Sequence, residues 1–212
     1  MLTLQRKTLA MIDNQILYSN NVIDFTTVAA ETCVYLERAA EYSKQNFISR
    51  GVKLLSLLYL KTTLLDDLNT ESEGFLERFV TETDYLYIKN QVEQLLGADD
   101  SFLEVFHPDM PYSDTPIAAF ISENLADIYQ ELKDFIENFQ IGEAEIMISA
   151  LIACVEAFAE HWGQKLLNAL RALHNLRFGE NFDNEDFDKR LDSSEYRRID
   201  RDQFLNFQTD EE

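Results

Sequence analysis

Glycine, proline, histidine and cysteine are scarce in this chain of 212 residues: six, three, three and two copies. Strand-rich folds spend glycine and proline on frequent turns, so the shortage favours long helices. Gly51, Gly74, Gly97, Gly142, Gly163 and Gly179 lie too far apart for a phosphate-cradling loop. No Walker sequence, dinucleotide fingerprint or G-x-S-x-G elbow is present. Three histidines and two cysteines, widely spread, do not make a recognisable structural zinc site, and the two E-x-x-H motifs that a di-iron bundle needs are not both present. No cofactor is therefore expected. Basic residues are also short, 18 against 39 acidic, for a net charge of −21. Phosphate backbones and anionic membranes are bound by clustered Lys and Arg, so the balance argues against nucleic acid and against a membrane surface. The longest uncharged apolar run, Ile146 to Val155, is far short of a membrane span. Leu9 to Ile12 is too short for a secretory core, and Asp13 ends it. Cys33 and Cys154 fall in apolar helical runs and read as buried, unpaired thiols in a reducing, cytoplasmic compartment, with a disulfide between them as the alternative.

What is present is helical periodicity. The pattern predicts an all-α, antiparallel multi-helix bundle of about five to seven helices, with a long C-terminal helical hairpin and an acidic tail. Residues 1–19 form a lead-in, 20–178 one bundle domain, and 179–212 an extension whose twelve acidic and five basic residues are interspersed with aromatics. Glu143 to Phe178 runs without proline, and Leu151, Val155, Phe158, Trp162, Leu166, Ala169 and Leu173 recur at steps of three and four. This stretch is expected to be the central element, bent at Gly163. Ahead of it, Ile117, Ile121, Leu125, Ile128, Leu132, Phe135 and Phe139 mark a helix begun by Ser113 or Thr115 with Pro116 in its first turn. Gly142 ends that helix, and the short turn makes the two antiparallel. Earlier helices are expected over about 20–42, capped by Ser19 or Asn20, over 46–65, where seven leucines leave little polar surface and predict burial on more than one side, and over 85–96. The last is opened by the Thr81 to Asp84 capping box and closed by Gly97. Gly51 marks a close helix contact, Phe75 and Phe79 a packed part of the 66–80 loop, and Asp99 to Phe106 another helical turn.

One constellation could carry chemistry. Glu123, Asp127, Glu131 and Asp134 form a carboxylate row along the flank of one helix, with Gln130, Lys133 and Glu137 facing outward. A flanking row of this kind can bind a divalent metal in a groove or simply edge a solvated helix. His161 borders the core beside Trp162 and would be a general base or a histidine satisfied by one hydrogen bond. Arg171 would pair across the hairpin with a carboxylate of the row or bind an anion. His174 shares a face with Gly163, Leu167 and Leu170, a packing position, and His107 sits in a loop without a partner.

The runs ISENLADIYQELKDF (Ile121 to Phe135), AFAEHWGQKLLNALRALH (Ala157 to His174) and VTETDYLYIKNQVEQLLG (Val80 to Gly97) together resemble a bacterial family known as domain of unknown function 5063. NVIDFTTVAAETCVYLE and YLKTTLL are similar to that family's first two helices, and the likeness covers roughly Asn14 to Leu176. The resemblance implies an all-helical domain and assigns no activity, cofactor or catalytic residue. Two functions follow from the residues. The first is a non-enzymatic helical module that binds another protein. The second is a metal-dependent hydrolase or small-molecule binder, with Asp127, Glu131, His161, Trp162 and Arg171 around one pocket. Oligomeric state is left open.

Overall fold

A computed structural model describes residues 15–65, 74–104 and 117–179. Among these residues six long helices carry the fold: α1 (Asn20–Glu37), α2 (Lys44–Thr63), α3 (Glu82–Leu96), α4 (Ile121–Gln140), α5 (Ala144–Ala157) and α6 (Gly163–Phe178). The all-helical bundle is as the periodicity predicts. The acidic tail, the loop 66–73 and the proline-rich segment 105–116, which includes His107 and Pro116, lie outside the described residues.

Side-chain chemistry sets most of the helix ends. Ser19 caps α1 by accepting the Val22 N–H, and Ser43 caps α2 by accepting the Asn46 N–H. At α3 the predicted capping box is complete: Thr81 accepts from Asp84 N–H, while the Asp84 carboxylate accepts the Thr81 N–H at 3.0 Å and its hydroxyl at 2.7 Å. Those bonds hold the Asp84 carboxyl below the ordinary carboxylate range, the Thr81 hydroxyl contributing most. Gly97 and Gly142 close α3 and α4 with φ of 60° and 81°, where a Cβ would be strained.

Two expectations about α4 need correction. It begins at Ile121, because Ala118–Phe120 is not helical but pairs antiparallel with Ser101–Leu103 in a two-stranded ribbon, β1 and β2. The expected turn over 99–106 is thus a 3-10 turn, Gly97–Asp100, followed by a strand. Ile117 consequently stands outside the helical stripe. Phe120 offers no capping oxygen, and Asp100 supplies one from the preceding turn. Helix α4 is also the element around which the others gather. It packs against α1, α3, α5 and α6, and Leu125, Ile128 and Leu132 are fully enclosed. Lys133, expected to face outward, is half-buried and pairs with Glu37 of α1 at 3.3 Å and Glu137 at 3.0 Å.

The predicted 143–178 helix is interrupted. Phe158–Trp162 forms a π-turn, closed by the Gly163 N–H bonding to the Phe158 carbonyl. An added Cβ on Gly163 would stand 2.5 Å from that carbonyl oxygen, so only glycine fits without a shift. The Trp162 indole is completely buried against Phe158 and donates to the Cys154 carbonyl at 2.9 Å. By length and composition alone, Ala144–Phe178 is apolar enough to cross a membrane. Core helices share that property, and here Leu151, Trp162, Leu166 and Leu173 are buried in protein.

Gly51 makes the predicted close contact: a Cβ there would meet the Tyr35 hydroxyl at 2.7 Å and Leu173 at 3.2 Å. Helix α2 is not buried on several sides, however. Leu57, Leu60 and Leu64 are exposed. In the extended segment 74–80, Phe75 is 80% exposed among the described residues, whereas the backbone is bound to α4. His174 is exposed and touches the Phe178 ring rather than the core. Cys33 and Cys154 are buried and unpaired.

Candidate functional site

The carboxylate row on α4 is real, and three of its four members bind protein. Glu123 accepts from Lys89 of α3 at 2.7 Å. Asp127 accepts the Tyr85 hydroxyl at 2.8 Å and faces Lys165 of α6 at 3.2 Å. Asp134, largely buried, accepts the N–H groups of Phe79 at 2.7 Å and Val80 at 2.9 Å, with Arg78 at 3.3 Å. One turn on, Asn138 accepts the Glu77 N–H and donates to the Glu77 carbonyl. Together Asp134 and Asn138 fix the extended 77–80 segment to α4, satisfying backbone groups that would otherwise lose water as the segment packs.

Asp127 is the member with the most chemically varied surroundings. Burial first, and then the hydrogen bond to its carboxylate, hold the Tyr85 hydroxyl well above the ordinary phenol range. Tyr85 therefore stays protonated and donates. With Tyr85 and Lys165 both engaged, Asp127 is a neutralised bridge between α3, α4 and α6, and a metal would have to displace a lysine to use it. Glu131 has no hydrogen bond or ion pair among the described residues; its charge adds to burial in raising the Cys154 thiol. No group of three or more His, Cys, Asp or Glu among the described residues stands close enough to hold a metal.

The remaining predicted site residues separate. His161 is exposed on the π-turn, and no hydrogen bond or ion pair joins it to Asp127 or Glu131. Trp162 points the other way, into the core. Arg171 corrects the expected ion pair: it donates to the Leu103 carbonyl at 3.1 Å and so ties α6 to the edge of the ribbon, where Asn168 also donates to Glu104 at 3.2 Å. Tyr85 and Lys165, the true partners of Asp127, were not singled out by the sequence. Lys165 had one signal, its position four residues after His161 on the border of the same helix.

A different surface stands out on α2. The helix KQNFISRGVKLLSLLYLKTT carries Lys44, Arg50, Lys53 and Lys61 and no acidic residue, in a chain of net charge −21. Lys53, Leu57, Leu60 and Leu64, at steps of four, three and four, form one exposed stripe. Lys44 is paired with Asp99 and Lys61 with Asp24, whereas Lys53 has no ion pair among the described residues. Leu57, Leu60 and Leu64 are 41%, 53% and 47% exposed, a contiguous apolar strip flanked by positive charge.

The model of a family described as "Domain of unknown function (DUF5063)" matches residues 16–179. The chain is also similar to the crystal structure of protein BF1032 from Bacteroides fragilis. That likeness has 40% identity and a TM-score of 0.70, covering 78% of this chain and 97% of that one. No curated protein matches.

Proposed function

The chain belongs to the DUF5063 family, and we propose that it is a non-enzymatic helical module that binds another protein through the exposed face of α2. The observation that carries this reading is the α2 stripe itself. Three leucines in water beside Lys53, which has no ion pair among the described residues, on a helix with no acidic residue, suit a partner segment with apolar side chains flanked by carboxylates. Such a segment would bury the leucines, at about 25 cal/mol per Å² of apolar surface, while Lys53 steers it. The α4 carboxylates support the same reading from the other side, since Glu123, Asp127 and Asp134 are taken up in holding helices and the extended 77–80 segment together. The unpaired buried thiols support a reducing, cytoplasmic setting for the module.

A photo-crosslinking residue at Leu60, compared with one at exposed Val34 on α1, tests this in cells. A discrete protein adduct at position 60, absent at 34 and lost when Lys53→Glu is added, is expected. Indistinguishable adducts at both positions would overturn the reading. So would a small molecule or metal that raises Tm by several degrees and loses that effect in Asp127→Asn; a ligand at a hundred times its Kd contributes about 2.7 kcal/mol.

A further inference from the structure

Residues 74–80 cross α5 and α4 as a strap, held by side chains that read its main chain. We propose that the α4–α5 groove beneath it is a second binding site, for an extended peptide segment of a partner protein, and that the chain's own strap fills this groove until such a segment replaces it. None of the residues involved lies on α2, so the inference is independent of the role proposed for that helix.

Three observations lead to it. The first is what the groove binds. Ser149 of α5 accepts the Gly74 N–H at 2.8 Å. Asn138 of α4 accepts the Glu77 N–H at 3.0 Å and donates to the Glu77 carbonyl at 2.8 Å. One turn back along α4, Asp134 accepts the N–H groups of Phe79 and Val80. These five bonds all end on main-chain atoms of the strap, so another extended segment in the same register would form them too. Arg78 adds a side-chain contact to Asp134 at 3.3 Å from an exposed position. The second observation is what the groove selects. Leu76 and Val80 pack against the core, whereas Phe75, Glu77 and Arg78 are exposed. At the head of the strap, a Cβ on Gly74 would stand 2.7 Å from the Ser149 Oγ and 2.8 Å from the Glu145 carbonyl oxygen, so glycine alone fits without a shift. A ligand therefore carries glycine first and apolar residues third and seventh. The third is how lightly the strap is held. No side chain from 74 to 80 is fully buried. Its polar bonds exchange readily with water, so each contributes little net stability, and segments of this kind open without global unfolding.

Two arms test this on the full-length chain, the first without any substitution. The Glu77, Phe79 and Val80 amides should exchange hydrogen about a hundredfold faster than the buried Ile128 and Leu132 amides of α4. Exchange as slow as that of Ile128 and Leu132 would overturn the inference, because a strap that leaves only on global unfolding offers no groove to a partner. The second arm uses Gly74→Val with Leu76→Ser, which loosens the strap and leaves Ser149, Asn138 and Asp134 unchanged. A fluorescent peptide of sequence GFLERFV, the strap itself, should bind this variant about tenfold more tightly than the unaltered chain, where the tethered strap competes at an effective millimolar concentration. Adding Asn138→Ala should weaken that binding about tenfold, through the two lost main-chain bonds. No binding by a variant that keeps its helical circular dichroism, or binding indifferent to Asn138→Ala, would overturn the proposal. So would a variant that forms a dimer on size exclusion and ignores the peptide, since the groove would then belong to a second copy's strap. Should the variant fail to fold, the exchange rates of the unaltered chain still decide.

Discussion

Asp100 caps a helix to which it does not belong. Its carboxylate accepts the Ser122 backbone N–H at 2.8 Å and the Ser122 hydroxyl at 2.6 Å, taking over in the first turn of α4 the work Phe120 has no oxygen for. Asp100 is buried, so its removal strands an amide and a hydroxyl away from water. Asp100→Ala should cost about 2–3 kcal/mol by urea unfolding, and Ser122→Ala only about 1, because the amide bond survives it.

Gly51→Ala should destabilise by about 1–3 kcal/mol, since its methyl would enter the space of the Tyr35 hydroxyl. Tyr35→Phe alone should cost about 1 kcal/mol through the lost bond to the Phe47 carbonyl. With the hydroxyl gone the new methyl has room, so the double variant should lose less than the two single losses added together. A double-mutant cycle in chemical denaturation measures that coupling.

Asp134→Ala and Asn138→Ala should each free part of the extended 77–80 segment. Hydrogen exchange at the Phe79 and Val80 amides should accelerate in the first variant, and at Glu77 in the second. Exchange within α1 should change little in either, because the bundle core is untouched.

Alkaline pH should weaken the fold through its thiols. Burial, reinforced by Glu37 at Cys33 and by Glu131 at Cys154, pushes both well above the ordinary thiol range. In the unfolded chain they lose protons near pH 8.5 while the folded chain keeps them. Their contribution is therefore whole below about pH 8.5, and stability falls as pH rises from there toward the raised folded values, by up to about 1.4 kcal/mol per pH unit for each thiol. Urea midpoints measured from pH 7.5 to 10.5 should show this decline, and a Cys33→Ala, Cys154→Ala double variant should flatten it.

Much of the bundle was legible because apolar spacing and caps are local. The Ser19 cap, the Thr81 to Asp84 box, and Gly97 and Gly142 as stops are all encoded within four residues. What escaped was set by distant partners. The ribbon needs Ser101 to meet Phe120 across a segment that contains three prolines, and no period in the chain announces it. The carboxylate row was placed on the correct helix face, but its fate depended on which bases α3 and α6 would bring to it. Lys89, Tyr85 and Lys165 come from elements 34 to 42 residues away. The leucines of α2 misled for a related reason: composition counts apolar residues, and only the neighbours decide how many are covered.

The π-turn acts as a phase setter. Leu151, Trp162, Leu166 and Leu173 fall on one stripe of an ideal α-helix, which is why the sequence predicted one helix bent at Gly163 and no extra residue in a turn. One extra residue in the turn sets back everything after it by about 100°, which lets α5 address α4 while α6 addresses both α4 and α2. Winding residues 158–162 as a regular α-turn with none removed would advance Leu166, Ala169 and Leu173 by about 100° and dial them out of the core together. In this chain the count of residues in one turn matters more to the second half of the hairpin than the identity of any side chain along it.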